Sequence, residues 1–321
     1  MMENDVFGLG HPLIDIIAFV DDEFINKHEL NKGLFHLTDN DKIKNVLNEI
    51  DDYVITSGDS TANTLATITN FGGKTIYYGS VGNDEFAKEF AKSLDKEDVK
   101  NKLFTNEYST GVALCLVTKD GERTFLVHLG AAIKFNAQKI DEEDIKNSKI
   151  VHITGYQIDD PNMRIVTLKI VQIAKENNIK ISFDMADPGV IKRNYDFVQE
   201  FLNDVDIIFA NEEEAKAFTT KDDPLDSLEI LSAYSDIVIV KIGKEGSFIS
   251  YNGAIISIEG VKANTLDTTG AGDIYAAGIL YGLTNNLDIE TAGNLASYTA
   301  AKIVEQKGAR FNDKIDISKF K

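Results

Sequence analysis

Leu266-Asp267-Thr268-Thr269-Gly270-Ala271-Gly272-Asp273-Ile274-Tyr275-Ala276-Ala277-Gly278 is the most informative stretch of the 321-residue chain. It follows a short β-like run and opens an apolar helix, so Gly270, Ala271 and Gly272 sit where backbone N–H groups leave a helix N-terminus with no side chains in the way. Such a turn is ready to hold an anion. Asp273 falls in the first turn of the same helix, where the positive end of the helix dipole is expected to keep it ionised. Phosphoryl transfer asks a protein to position reactants, stabilise spreading charge and accept a hydroxyl proton, and this segment supplies two of those parts. A plain glycine turn followed by an acidic helix residue accounts for the same residues without chemistry.

Outward from this stretch, short β-rich runs alternate with longer segments of helical period, the pattern of a sheet built from strand-helix-strand units. The strands are expected at Val6 to Leu9, Thr75 to Val81, Ile150 to Ile153, Lys180 to Asp184, Ile207 to Ala210 and Ile237 to Ile242. Helices are expected at Thr61 to Phe71, Glu85 to Leu94, Met163 to Glu176, Glu212 to Phe218 and Leu225 to Tyr234; in the second, Phe86, Phe90 and Leu94 form one apolar stripe. Two stretches, Ile14 to Leu37 and Gly111 to His128, read as strand pairs with a polar turn, and together they suit a small antiparallel flap on an α/β body. A third pair, Gly246 to Tyr251 and Ala254 to Ile258, turns at Asn252-Gly253. With four prolines and no Pro/Gly/Ser-rich linker, any second unit is inserted into the first rather than strung after it.

Composition narrows the function classes. Lys plus Arg number 33 against 52 Asp plus Glu, a net charge of −19 on a chain that is 43% hydrophobic. Disorder is not expected at this apolar content. An acidic chain with no long basic run repels phosphate backbones and anionic bilayers, so neither nucleic acid nor membrane is an expected partner. The single cysteine, Cys115, can form no internal disulfide and no Cys-based zinc site, which fits a reducing compartment. The N-terminus lacks the positive flank of a signal peptide and no apolar run reaches membrane-spanning length, so a cytoplasmic location is expected.

Other nucleotide and metal motifs fall away. Gly72-Gly73-Lys74-Thr75 imitates the end of a P-loop, but Ile68 stands where the first glycine belongs and the lysine leads into a strand. Gly8-Leu9-Gly10 has Leu13 where a dinucleotide fingerprint needs its third glycine. The five histidines show no ligand spacing, and Asp141-Glu142-Glu143-Asp144 reads as a solvated helix start.

Asp267-Thr-Thr-Gly-Ala-Gly-Asp273 is similar to the C-terminal signature of the ribokinase-like (PfkB) carbohydrate kinases. Gly58-Asp59-Ser60-Thr61-Ala62-Asn63-Thr64 with the later Gly72-Gly73 resembles the N-terminal signature, Asn211-Glu212-Glu213-Glu214 the Asn-x-x-Glu motif, and Lys241 to Gly246 the nucleotide-side strand and turn. Gly10-His11-Pro12-Leu13-Ile14-Asp15-Ile16, Asp120 to Thr124 with Leu129-Gly130-Ala131, and Ile153 to Tyr156 resemble the adenosine kinase-like branch. The resemblance spans Val6 to Arg310. It implies one ribokinase-like kinase domain over residues 1–321, a three-layer α/β/α fold with a mostly parallel central sheet, and a discontinuous β lid formed by about 14–37 and 111–128.

The same resemblance implies residue roles. Asp273 falls on the catalytic base that takes the proton of an acceptor's primary hydroxyl as it attacks the γ-phosphate of ATP, and Gly270, Ala271 and Gly272 fall on the anion hole. Asp15 falls on the residue that binds two vicinal hydroxyls, as an ionised carboxylate can; a strand-end Asp capping a turn is the other reading. Gly58, Asn63 and Ser60 fall on further acceptor contacts, while Asn63 also reads as an ordinary polar residue in the first turn of a helix. Glu214 would act on Mg²⁺ through its water shell and Asn211 near the phosphates, although the pair also reads as a capping box. Gly243 and Gly246 would lie along the nucleotide or simply allow a turn. Arg123 would close over transferring phosphate, or is one more exposed arginine. Tyr156 would stack on a purine, or is a core aromatic. A monovalent cation beside Asp267-Thr-Thr and a monomer or lid-mediated homodimer are further implications. Asp59, His11 and Lys241 depart from the family pattern at a Gly, an Asn and a Thr or Ser. The expected activity is ATP-dependent phosphorylation of the 5′-hydroxyl of adenosine or a related nucleoside. The alternatives are a sugar kinase acting on ribose, fructose or 2-keto-3-deoxygluconate, and a nucleoside-binding regulator without turnover.

Overall fold

The computed structural model describes residues 2–321. Its strands are β1 (Asn4–Leu9), β2 (Leu13–Phe19), β3 (Phe35–Leu37), β4 (Tyr53–Ser57), β5 (Thr75–Val81), β6 (Lys100–Thr105), β7 (Gly111–Val117), β8 (Arg123–His128), β9 (Ser148–Thr154), β10 (Lys180–Asp184), β11 (Ile207–Asn211), β12 (Ile237–Lys241), β13 (Gly246–Tyr251) and β14 (Ala254–Glu259). Nine of them make one sheet in the order β14-β13-β12-β11-β10-β9-β1-β5-β6. The run from β12 to β6 is parallel, and β13 and β14 add an antiparallel hairpin at one edge.

Alternation along these strands feeds two cores. Val6, Tyr77, Ile150, Phe209 and Ile239 point to a core shared with the helices Ser60–Asn70, Ala271–Thr284 and Ile289–Ile303. Phe7, Tyr78, Val151, Ile208 and Val240 point to the other, under Pro161–Glu176 and its neighbours. A sheet buried on both faces reads as continuous apolar runs, which is why these strands stand out in the sequence. The result is the ribokinase-like α/β/α layering. Among the described residues, no helix is long and apolar enough to cross a membrane.

The remaining strands form a second sheet in the order β3-β8-β7-β2-β4. Ile14, Ile16, Leu114 and Leu126 on one face join the first core. Leu13 and Asp15 pair in register with Gly111 and Ala113, and Phe35 and Leu37 with Phe125 and Val127, so these residues share the opposite face.

The small sheet differs from expectation in two places. Ile14 to Leu37 is not a strand pair: β2 pairs with β7 and β4, and β3 pairs in parallel with β8. Between β2 and β3 lies the helix Asp22–Lys27, whose N-cap Asp21 accepts from the Phe24 amide and whose first turn carries Asp22 and Glu23, a strong local helix start. The bounds 14–37 and 111–128 also omit β4, which pairs antiparallel with β2 along Tyr53–Ser57.

Candidate active site

Gly270 adopts φ +79°, and a Cβ there would lie 2.5 Å from Ala309 Cβ. Only glycine fits both demands. With no side chain at that N-cap, the Gly272 and Asp273 amides take no protein acceptor, whereas the Ala271 amide is already bonded to the Thr268 carbonyl at 3.2 Å. Of the three residues expected to form an anion hole, Ala271 therefore has no free amide to offer. Asp267 ties the loop down, accepting from the Thr269 amide (3.0 Å), Thr269 Oγ1 (2.7 Å) and the Gly308 amide (3.1 Å).

Asp273 points across to the Ser60–Asn70 helix. Its Oδ1 accepts from Ser60 Oγ at 2.6 Å and its Oδ2 from Asn63 Nδ2 at 2.9 Å, while Thr64 Oγ1 donates to its backbone carbonyl at 3.2 Å. Ser60 and Asn63, expected to meet an acceptor, here hold the carboxylate. Burial raises the Asp273 pKa to about 7; the Ser60 and Asn63 donors and the Lys241 charge pull it down, and repulsion from Asp184 pushes it up. The helix dipole therefore does not keep it fully ionised at neutral pH, because loss of solvation outweighs it.

Lys241, at the end of β12, places its ammonium 3.1 Å from Asp184 Oδ2 and 3.2 Å from where a Cβ on Gly272 would stand. Burial opposes its charge, but Asp184, Glu214 and Asp273 outweigh that and raise its pKa above the ordinary lysine value. A fixed cation thus stands beside the free helix amides. The sequence marked Lys241 only as a departure, since its partner Asp184 is 57 residues away.

Asn211 and Glu214 form a reciprocal cap: the Asn211 amide and Nδ2 donate to the two carboxylate oxygens at 2.8 and 2.7 Å, and Asn211 Oδ1 accepts from the Glu214 amide at 2.9 Å. Burial raises the Glu214 pKa, partly offset by Lys241. With both oxygens already accepting, this carboxylate is suited to a hydrated Mg²⁺ more than to direct ligation.

At the small sheet, Asp15 lies against Gly58, where a Cβ would stand 2.6 Å from its Oδ2. Burial raises the Asp15 pKa to about 6, with Arg310 pulling it down and Asp59 pushing it up. Asp59 holds φ +94° and accepts from Tyr77 Oη at 2.7 Å and the Ala62 amide at 3.2 Å, so the departure from glycine is accommodated as a helix cap. His11 is buried with Nε2 unpartnered, and burial lowers its pKa to about 4, which keeps it neutral.

These groups surround one cleft of about 1970 Å³ between the two sheets. Ser60, Asp273, Gly270 to Gly272, Asn211, Glu214, Lys241, Gly243, Gly246 and Tyr156 all line it. Asp15, Gly58 and Asn63 are not among the residues that line it, and Arg123 stands exposed outside it, though its charge helps lower the Asp267 pKa. Tyr156 is 41% exposed, so it faces the cleft and is not a core aromatic. Gly243 and Gly246 adopt φ +59° and +113°, and a Cβ on Gly246 would lie 2.0 Å from the Ile258 carbonyl, so the turn itself requires glycine there. Drug-sized pockets run to roughly 1,000 Å³, so the cleft has room for two small molecules.

The model of the pfkB family carbohydrate kinases matches residues 30–316 of this chain. An uncharacterized sugar kinase from Archaeoglobus fulgidus is 28% identical over 248 residues, 76% of this chain and 96% of that protein. Adenosine kinase from Saccharomyces cerevisiae is 28% identical over 342 aligned positions, covering 97% of this chain and 98% of that one. The crystal structure of adenosine kinase from Sinorhizobium meliloti superposes with a TM-score of 0.87 at 28% identity, covering 97% of each chain.

Proposed function

Since this chain belongs to the pfkB family of carbohydrate kinases and is therefore a phosphotransferase with a hydroxyl acceptor, we propose that it transfers the γ-phosphate of ATP to the 5′-hydroxyl of adenosine. The observation that carries the nucleoside reading is the apolar wall of the cleft. Phe35, Leu37, Phe125 and Val127 share one face of the small sheet, and Tyr156 is exposed in the same cleft. A purine has flat faces that such a surface desolvates, and a sugar has none.

In this reading Asp273 takes the 5′-hydroxyl proton as the oxygen attacks phosphorus, and Ser60 and Asn63 aim its carboxylate. Asp15 accepts hydrogen bonds from the two ribose hydroxyls. The Gly272 and Asp273 amides and the Lys241 ammonium meet the charge on the transferring phosphoryl group. Mg²⁺, held through its water shell by Glu214 beside Asn211, would neutralise phosphate charge when bound. Gly243 and Gly246 let the nucleotide lie close to the backbone. The small sheet is the lid that excludes water, with Arg123 at the end of its hairpin.

A sugar acceptor is the second reading, favoured by the likeness to the Archaeoglobus fulgidus sugar kinase. ATP consumption with Mg²⁺ across adenosine, guanosine, inosine, cytidine, ribose, fructose and 2-keto-3-deoxygluconate separates them. Turnover on adenosine is expected; turnover confined to a sugar overturns the purine wall.

A further inference from the structure

Arg310 is a buried cation with no part in the reaction as described. Its Nε donates to Asn63 Oδ1 and its Nη1 to Ser93 Oγ, each at 3.1 Å, while Nη2 is buried without a partner. The charged or titratable groups around it come from four elements: Asp15 on β2, Asp59 at the cap of the Ser60–Asn70 helix, Tyr77 on β5 and Glu97 at the end of the Glu85–Lys96 helix. Asp273 is reached through Asn63.

Two consequences follow from this placement. A carboxamide accepts at one end and donates at the other, so fixing Asn63 Oδ1 on a guanidinium leaves Nδ2 as the end that meets Asp273. Asp15 and Asp59 are also two largely enclosed carboxylates whose charges both act on Arg310 without a direct ion pair to it, and a desolvated charge needs a countercharge. We propose that Arg310 is a positioning residue that locks the Asn63 amide toward Asp273 and serves as the buried countercharge of Asp15 and Asp59. This rests on the acceptor and base roles given to Asp15 and Asp273 above. Without the guanidinium, Asp15 protonates at a higher pH and loses acceptor capacity toward vicinal hydroxyls.

The test compares Arg310→Met and Arg310→Lys with the parent enzyme. Acceptor KM and kcat are followed from pH 6 to 9, alongside NMR titration of ¹³C-carboxyl aspartate with Asp15 assigned through Asp15→Asn. In Arg310→Met the Asp15 titration moves up by about one pH unit or more, the acceptor KM at pH 7 rises about twofold or more and returns toward the parent value by pH 9, and kcat drops about tenfold. Arg310→Lys keeps the charge but not the two-armed geometry, so its Asp15 titration stays near the parent while kcat falls. An Asp15 titration unmoved in Arg310→Met, or a KM raised equally at every pH, overturns the proposal. If Arg310→Met does not fold, a moved Asp15 titration or an unchanged kcat in Arg310→Lys overturns it. If no acceptor is phosphorylated, the adenosine reading fails, while the NMR titration still decides the role of Arg310.

Discussion

Each oxygen of Asp273 accepts from one donor of the Ser60–Asn70 helix, which fixes the carboxylate plane while leaving lone pairs for an incoming hydroxyl. Asp273→Asn keeps the shape and removes the basicity. Its turnover is expected to fall by on the order of 10²-fold or more, with ATP and acceptor affinities by calorimetry nearly unchanged. Near-normal turnover would take the base role from Asp273. If Asp273 is the base, kcat/KM of the parent enzyme rises with pH through about 7, because the carboxyl accepts a proton only when ionised. Asp273, Ser60 and Asn63 were legible in sequence because each sits in a compact glycine-containing motif. Lys241, Asp184 and Arg310 were not, since their partners lie far along the chain, 247 residues away for Arg310 and Asn63.

At the scale of elements, legibility followed burial. β1, β5 and β9 to β12 are continuous apolar runs because helices cover both faces, and the expected strands match them within a few residues. The small sheet gave weaker signals. β3 has three residues and finds its partner only in β8, and β4 is an edge strand that is mostly exposed, so neither carries a marked pattern. Yet β3 contributes Phe35 and Leu37 to the cleft, 63% and 67% exposed, a large apolar surface to leave in water. If that surface closes over a purine, the Phe35→Ala/Leu37→Ala double variant raises the adenosine KM about tenfold, matching the ~1–2 kcal/mol of partial side-chain burial, with the ATP KM unchanged. An unaltered adenosine KM would show that β3 does not touch the acceptor.

For the molecule as a whole, Asp15, Asp59, Asp273 and Glu214 all have folded-state pKa values raised by burial. Such groups bind more protons in the native than in the unfolded chain, so they make stability fall as pH rises through about 6 to 7. His11 and His152, lowered to about 4, act in the opposite sense between about 4 and 6.5, and so leave the carboxylates dominant from about 6.5 upward. A net charge of −19 adds self-repulsion in the same direction. Thermal unfolding should therefore give a higher Tm at pH 6 than at pH 8. Asp273→Asn should unfold a few degrees above the parent at pH 8, with the gap narrowing toward pH 5 and closing only below about pH 4. A parent Tm that climbs from pH 6 to 8 would contradict the burial of these groups.

The hydrogen bond from Ser60 to Asp273 spans 213 residues, and that from Arg310 to Asn63 spans 247. During synthesis Ser60 and Asn63 are made first, and the side of the cleft they build waits a further 213 residues for Asp273, the proposed base. Asn63 meets Arg310 only once residue 310 has left the ribosome, so the nascent chain holds a half-built pocket until both Asp273 and Arg310 have been made.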